Sequence, residues 1–545
     1  MGNSSRIDSV VIVWPNNTYQ VIRNVSLGKP LNLEYKAGLP LFDYRQINTQ
    51  QVLFEDVAAQ HGLDILHQEN QFNEFDREAL IPNMMSTEGP ALAVGDVNGD
   101  GLDDVFLGAS RGVAAQVYVQ GKNETFQKIQ QPALDKDADF EDIDAVWVDV
   151  NNDKALDLVV GSGGNEYFGK SEFLHPRLYI NNGKGILLHD TLAFKEYFIN
   201  AQVVRIADVN QDGFADIFIG ARSVPFGYGK TPDSYLFIND GKGNFSEQTD
   251  KYAPQLKKGG LVKDAQWVDL DNDKDIDLVV AYDWGKVVLY ENQGQKFTQK
   301  PLTDKKGWWN FVKPLDIDQD GDLDLLCGNV GLNSRLHASE KEPVKMYVND
   351  YDENGRPDQI ITYYLLGKET IFADKREVEK QIPYIKKQFL QSRDFAKASL
   401  KEILGSKKIE EALVLEANYF ENAWLENKGK EGFVLQSLGS TAQYTAYHAA
   451  EGVLSPKTKQ MELMLLGNFF DCNIQMGLYD ADNGSIFAYQ GKGEFSPKPL
   501  LRGRLEGQVR RIRPIRIGQN RLFLVARNND RLMLLKQHEE LSAVF

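Results

Sequence analysis

Residues 94–110 read VGDVNGDGLDDVFLGAS, and the purpose of their acidic cluster decides the fold. Without a counter-charge, Asp96, Asp100, Asp103 and Asp104 repel one another. Counting Asp96 as position 1, side-chain oxygens fall at positions 1, 3, 5 and 9 (Asp96, Asn98, Asp100, Asp104). Gly101 at position 6 permits a sharp turn that aims the Leu102 carbonyl inward. Oxygen-only ligands on a flexible loop suit Ca²⁺, which accepts about 6–8 of them. An EF-hand starts similarly but needs a bidentate Glu at position 12 and a helix on each side. Position 12 here is Leu107, inside an apolar run that reads as a buried strand. The EF-hand reading fails.

A search for internal repeats removes the alternative of an ordinary acidic turn. The pattern returns as DVNNDKALD from Asp149, DVNQDGFAD from Asp208, DLDNDKDID from Asp269, DIDQDGDLD from Asp316 and DYDENGRPD from Asp350. All six have Asp or Asn at 1, 3, 5 and 9, and an apolar residue at 12 (Leu107, Val160, Ile219, Val280, Cys327, Ile361). An apolar strand precedes each of the first five loops (ALAV, DAVWV, VVRIA, DAQWV, FVKPL) and another follows (DVFLG, DLVVG, DIFIG, DLVVA, DLLCG). A third strand and a Gly turn into a fourth come next, as in RLYINNGKGILL and YLFINDGKGNFSE. Four short strands repeated every 47–61 residues predict the blades of an all-β propeller, with each acidic loop joining strands one and two.

The D-x-[DN]-x-[DN]-G-x-x-D loop with its following strand resembles the FG-GAP/VCBS repeat of integrin-α-type β-propellers. The resemblance implies Ca²⁺ bound by side chains 1, 3, 5 and 9 and by the carbonyl at 7. Carried onto this sequence, the first site is Asp96, Asn98, Asp100, Leu102 and Asp104. The second is Asp149, Asn151, Asp153, Ala155 and Asp157, and the third Asp208, Asn210, Asp212, Phe214 and Asp216. The fourth is Asp269, Asp271, Asp273, Asp275 and Asp277; the fifth Asp316, Asp318, Asp320, Asp322 and Asp324. The sixth is Asp350, Asp352, Asn354, Arg356 and Asp358, giving up to six ions. Lys154 and Lys274 replace glycine at position 6 of the second and fourth loops, and Arg356-Pro357 makes the sixth the most divergent.

The N-terminal RIDSVVIVWPNNTYQVIRNVSLGKPLNLEYKAG alternates like small half-buried strands around a turn at Trp14-Pro15-Asn16-Asn17. It resembles an ASPIC/UnbV domain, which accompanies such propellers in the cartilage-acidic-protein family and in large surface proteins of Bacteroidota. In that family the domain follows a propeller, so the expectation is that these 545 residues are the C-terminal part of a longer polypeptide. The domains expected are 1–40 for this module and 50–545 for the propeller.

The second half departs from the repeat. Residues 368–415 switch to helical spacing, broken by Pro383 and Gly405, which predicts a helical insertion. Strands resume at NAWLENKGKEGFVLQ and continue to RLMLLK without acidic nonapeptides, so the last blades are expected to be metal-free. First strands number seven if Asp350 lies inside blade five, and eight if it opens its own; seven is the expectation. VLFEDVA (52–58) is expected to close the ring as an outer strand on the final blade.

Six Ca²⁺, carrying twelve positive charges, would bring the formal net charge from −17 to −5, so much of the acidity is structural. So acidic a chain is a poor partner for nucleic acid. Neither Cys327 nor Cys472 has metal-type spacing, and both read as inert core residues. No apolar run reaches membrane-spanning length, and the polar MGNSSRID start carries no signal peptide. The expected location is extracytoplasmic, secreted or at the cell surface, with the export signal upstream. The Arg-rich run RGRLEGQVRRIRPIR (502–516) has the charge of an anion site, but alternate residues on a strand face solvent anyway, and the solvent-facing reading is the expectation. Seven His, with no H-E-x-x-H, G-x-S-x-G or P-loop motif, give catalysis no positive support.

Recognition is therefore expected from loops on the face opposite the acidic ones. Tyr167, Phe168, Phe226, Tyr228, Trp284, Trp308 and Trp309 lie in such Gly-rich loops and read as stacking platforms for a glycan or protein ligand. The expectation is a non-catalytic, Ca²⁺-stabilised binding propeller serving adhesion, assembly or capture. The alternative is a polysaccharide lyase or hydrolase built on a Ca²⁺-loaded propeller, with a Lys, His or Arg base in the channel.

Overall fold

A computed structural model of the protein describes residues 7–25, 30–43, 53–294, 296–500 and 505–538. The described residues fall into two compact units, one within residues 1–52 and one from Leu53 onward. The expected boundary at 40–50 lies largely outside the described residues, as do Arg502 and Arg504 of the Arg-rich run.

In the first unit, Ile7–Val13 pairs antiparallel with Tyr19–Val25. The Trp14-Pro15-Asn16-Asn17 turn joins them, with Asn17 in the left-handed region (φ 61°) and the Trp14 amide bonded to the Thr18 carbonyl at 2.8 Å. Trp14 meets Tyr35 edge-on at 5.4 Å, so the turn carries its own small apolar contact.

In the second unit, seven antiparallel sheets form a ring among the described residues, six of four strands and one, the fourth, with Gly307–Trp308 added as a short fifth. Their innermost strands are Leu92–Gly95, Asp142–Val148, Ala201–Ala207, Leu261–Val268, Phe311–Leu315, Tyr447–Leu454 and Gln508–Ile517. Each lies beside the next in that order, and the last lies beside the first. The final sheet is completed by Phe54–Asp56, which pairs with Met533–Gln537 (Phe54 opposite Gln537), so the chain's beginning closes the ring as expected. Second strands such as Asp157–Ser162 and Asp216–Ala221 are buried throughout, because neighbouring blades cover both faces. That burial accounts for their unbroken apolar sequences. It also accounts for the glycine next to last in each: a Cβ at Gly220 would lie 2.6 Å from Val262 of the next blade. Outer strands such as Phe297–Pro301 bury only their first residue.

The insertion is larger than its helices. Blade five consists of Phe311–Leu315, Asp324–Gly328, Ala423–Asn427 and Phe433–Ser437, with the intervening chain inserted between its second and third strands. That insertion builds its own sheet, in the order Lys368–Ile371, Asp358–Leu365, Val344–Asn349, Leu413–Ala417. Residues 368–415 thus begin and end in strands, with five short helices from Lys375 to Glu410 between them. Strand alternation splits the sheet's faces. Val344, Met346, Val348 and Ile361 pack with Tyr228, Trp284 and Trp308, while Tyr347 and Ile360 pack with the helices around Val378, Ile385 and Phe395. The Asp350 loop belongs to this inserted sheet.

Between the closing strand and blade one, residues 57–91 run across one end of the ring. Ile81 and Met85 join the core of Tyr228, Trp284 and Trp308, and Glu88 bonds Lys263 of the fourth inner strand at 2.6 Å.

Candidate metal loops, channel and opposite face

All six acidic loops connect consecutive antiparallel strands, five in blades one to five and one in the inserted sheet. Each turns through two left-handed residues. Position 4 is Gly99, Asn152, Gln211, Asn272, Gln319 or Glu353, with φ from 59° to 75°. Position 6 is Gly101, Lys154, Gly213, Lys274, Gly321 or Gly355, with φ from 73° to 102°. Lys154 and Lys274 therefore adopt the glycine conformation, at a cost on the order of 1 kcal/mol. Their amides bond the position-1 carboxylates of Asp149 (2.9 Å) and Asp269 (3.0 Å). In loop one, Asp96 accepts amides from Gly99, Asp100 and Gly101, and Asp100 accepts from Leu102.

Position 9 (Asp104, Asp157, Asp216, Asp277, Asp324 and Asp358) opens the second strand in every case and is buried. One oxygen accepts the amide of position 2, as in Val97 to Asp104 at 2.9 Å. In the five blades the other accepts an amide from the end of the third strand, from Gln120, Asn181, Asn239, Asn292 or Asn427. In the sixth loop a helix residue, Gln381, donates instead to Asp358. Burial, reinforced by the other loop carboxylates, raises Asp104, Asp157, Asp216 and Asp358 to about 6 and Asp277 and Asp324 to about 7. A carboxylate so placed favours either a proton or a cation.

The donor set fits a hard cation. Asp269/Asp271/Asp273, Asp316/Asp318/Asp324 and Asp350/Asp352/Asp358 each bring three carboxylate oxygens within 4.8 Å of one another. In loops four and five, one buried oxygen each of Asp269, Asp316, Asp318 and Asp322 has no hydrogen-bond partner. Unpaired buried oxygens of one sign are costly, and an ion with six to eight oxygen ligands removes that cost. Asp275 is drawn sideways, accepting from Gln211 of the preceding loop.

One set of residues escaped the sequence reading, which treated the third-strand ends as plain Gly turns. Asn181 donates its side-chain amide to the carbonyl of Val97, in blade one's loop, at 2.7 Å, and to Leu156 of its own loop at 2.9 Å. Asn239 does the same to Val150 and Ala215, and Asn292 to Val209 and Ile276. Gln120 bridges Asp103 and Arg516, stapling blade one to the last blade. The visible signal was N-x-G recurring at the third-strand ends of blades two to five, at Asn181, Asn239, Asn292 and Asn427.

The aromatic expectation needs correction. Trp309, Tyr228, Trp284 and Trp308 are 0–7% exposed, so they are core rather than stacking platforms. Trp284 donates to the Tyr228 hydroxyl at 2.9 Å, which donates to Asp283 at 2.8 Å. Residues 57–91 and the inserted sheet share a core with Tyr228, Trp284 and Trp308, through Ile81, Met85 and Met346, while Trp309 lies in the core of blades four and five with Leu302 and Val312. The other three are accessible. Phe168 is 61% exposed and meets Phe226 edge-on at 4.6 Å, while the Arg77 guanidinium lies 3.4 Å from the Phe226 centroid. Arg111 lies 4.9 Å from the centroid of Tyr167.

The Arg-rich run is corrected too. Its alternate side chains on the last inner strand face the central channel, a cavity of about 560 Å³ walled by all seven inner strands. There Asp144 receives Arg205 at 2.5 Å, Arg511 at 3.4 Å and Arg513 at 3.6 Å. Burial alone would raise its carboxyl, but these three guanidiniums bring it down to about 2. Arg205 also pairs with Asp264, and Lys313 with Glu451. The two cysteines are free, and burial pushes the Cys472 thiol up to about 12.

Comparison with known proteins follows this geometry. The FG-GAP-like repeat matches four overlapping stretches, 96–160, 149–219, 208–280 and 269–327. Each begins at position 1 of one loop and ends at position 12 of the next. Integrin alpha-8 of Mus musculus and of Homo sapiens are each 28% identical over 221 residues, covering 37% of this chain. The chain spans only 20% of the length of these curated relatives. Among solved structures, YCF48 bound to D1 peptide has a TM-score of 0.38 at 9% identity, covering 88% of this chain and 100% of that one. BBS1N in complex with ARL6DN has a TM-score of 0.36 at 10% identity, covering 88% and 99%. The chain thus carries FG-GAP repeats like those of integrin alpha on an all-β propeller. No helix among the described residues is long and apolar enough to cross a membrane.

Proposed function

We propose that this chain is a non-catalytic binding propeller, stabilised by up to six Ca²⁺ and working outside the cytoplasm, secreted or at a cell surface. The unpartnered buried oxygens of Asp269, Asp316, Asp318 and Asp322 carry the metal reading. The ions would serve the scaffold, since every loop is a hairpin that joins two strands of one sheet, five in blades and one in the inserted sheet. Integrin alpha-8 similarity supports the extracytoplasmic location. The reading of the N-terminal unit as an ASPIC/UnbV-type module rests on its hairpin and Trp14-Pro15 turn alone. The ligand is a protein, engaged by the accessible patch of Tyr167, Phe168 and Phe226. Aromatic rings overlaid by Arg77 and Arg111 have the composition of an interface hot spot.

The test joins elemental analysis with ligand capture. Purified protein should carry several equivalents of calcium. Phe168→Ala should lose the partner captured by cross-linking at the cell surface while keeping its calcium and its melting temperature. Protein that carries no calcium and melts identically in chelator refutes the metal reading. Unchanged capture by the variant moves the binding face elsewhere.

A further inference from the structure

The channel holds a charge excess that its own pairs leave unbalanced. Six basic side chains line it (Arg205, Lys263, Lys313, Arg510, Arg511, Arg513) against three acidic ones (Asp103, Asp264, Glu451), with a fourth, Asp144, fully buried against Arg205, in a chain of net charge −17. Adding the buried groups beneath, Arg222 with Glu88 and Asp283, narrows the excess to one positive charge. At that end the channel is shut: Glu88, Lys263, Arg222 and Arg510 are all buried under residues 57–91. At the other end, toward the acidic loops, the wall is open to solvent, with Arg516 75% exposed. The space is a blind, positively charged well.

Most of its guanidiniums are spent. Arg205 is divided between Asp144, Asp264 and the carbonyls of Val204 and Ala265. Arg511 bonds Asp144 and the carbonyls of Arg510, Ile143 and Gln202. Arg513 differs. Its Nη1 donates to the Ile512 carbonyl at 3.0 Å, and Nη2 stands 3.6 Å from Asp144, beyond hydrogen-bond distance. Among the described residues nothing accepts from its Nε or Nη2, the two parallel donors that recognise a carboxylate or phosphate edge. The Arg513 side chain is 31% exposed to the open channel, with Asp144 facing Nη2 at 3.6 Å.

We propose that this channel binds a small oxyanion of the carboxylate or phosphate class, held by the free edge of Arg513 and retained by the positive well. The site is separate from the metal loops and from the Phe168 patch, so it stands or falls independently of both.

The test uses the full, Ca²⁺-saturated chain with succinate and sulfate, two probes that chelate calcium weakly. Titration calorimetry at constant ionic strength should show one saturable equivalent for at least one probe. The preferred probe distinguishes a planar carboxylate from a tetrahedral oxyanion. Loss of a charge-assisted bond predicts that Arg513→Gln weakens binding about tenfold or more. Arg513→Lys, which keeps the charge without the fork, should fall between, and Arg516→Gln at the rim should bind as the parent does. Far-ultraviolet circular dichroism and calcium content establish that each variant is folded. The proposal is overturned if neither probe saturates, or if Arg513→Gln and Arg513→Lys bind as tightly as the parent. Equal, unsaturating stabilisation of every variant by sulfate is general salt exclusion and also overturns it.

Discussion

Asn239 joins two blades: its side-chain amide donates to the Val150 carbonyl of blade two's loop at 2.9 Å, while its backbone amide donates to Asp216 of its own loop at 2.9 Å. One residue thus touches position 2 of one acidic loop and position 9 of the next. Asn239→Ala leaves two carbonyls, those of Val150 and Ala215, without their donor. The expected loss is about 1–3 kcal/mol of unfolding free energy, measured by denaturant titration. Calcium affinity should fall at loops two and three together. A fall confined to loop three would show that the staple does not couple them.

Calcium removal should lower the melting temperature, because the buried oxygens of loops four and five that lack a hydrogen-bond partner are then left unpaired. Asp316→Ala should weaken binding more than Asn354→Ala, since the first removes a charge and the second a neutral oxygen. Calcium stoichiometry and melting with and without chelator check both statements.

In chelator, the pH dependence follows from the position-9 carboxyls, raised to about 6 or 7 by burial and their acidic neighbours. Between the ordinary value of about 4 and these folded values, the folded state binds more protons than the unfolded one. Stability should therefore rise as pH falls from about 7.5 to about 5. With calcium the order reverses, because protons compete with the ion for the same oxygens. Melting curves at both pH values, with and without metal, read this out. A metal-free protein that is less stable at the lower pH would contradict the assignment.

Trp309 is fully buried against Tyr419, 5.9 Å between ring centroids. Trp309→Ala should cost about 3–5 kcal/mol, as deletion of a core aromatic does. Differential scanning calorimetry should show it melting far below Phe168→Ala, whose ring is exposed. Equal melting temperatures would return Trp309 to the surface.

Glu88 is the anion between Lys263 at 2.6 Å and Arg222 at 3.6 Å. Its burial alone would raise its carboxyl, but Lys263 and then Arg222 hold it well below the usual range. Glu88→Ala strands the buried Lys263, while Arg222 keeps Asp283 at 2.7 Å, and should cost about 3–5 kcal/mol. Accessibility of residues 57–91 to limited proteolysis should increase with it. A variant as stable and protease-resistant as the parent would show that this strap is held by its apolar contacts alone.

The sequence by itself determined the acidic loops, the four-strand unit around each and the strand that closes the ring. These depend on short spacings: nine residues place the oxygens at 1, 3, 5 and 9, and alternating or continuous apolar runs report how many faces of a strand are covered. Even Lys154 and Lys274 did not disturb the turn, because the amide bonds to Asp149 and Asp269 outweigh a modest backbone cost. Only the tertiary structure decided which loops are surface and which are core. Trp308 is buried by Met85 and Met346, one far upstream and the other inside an inserted sheet, and no local pattern encodes a cover that arrives from elsewhere in the chain. The Arg-rich strand is the same case. Alternation indicates that Arg511 and Arg513 leave the blade, but only closure of seven sheets turns that side into a channel rather than open solvent. Spacing along the chain determines what a segment can form. What it finally faces is set by contacts between residues hundreds of positions apart.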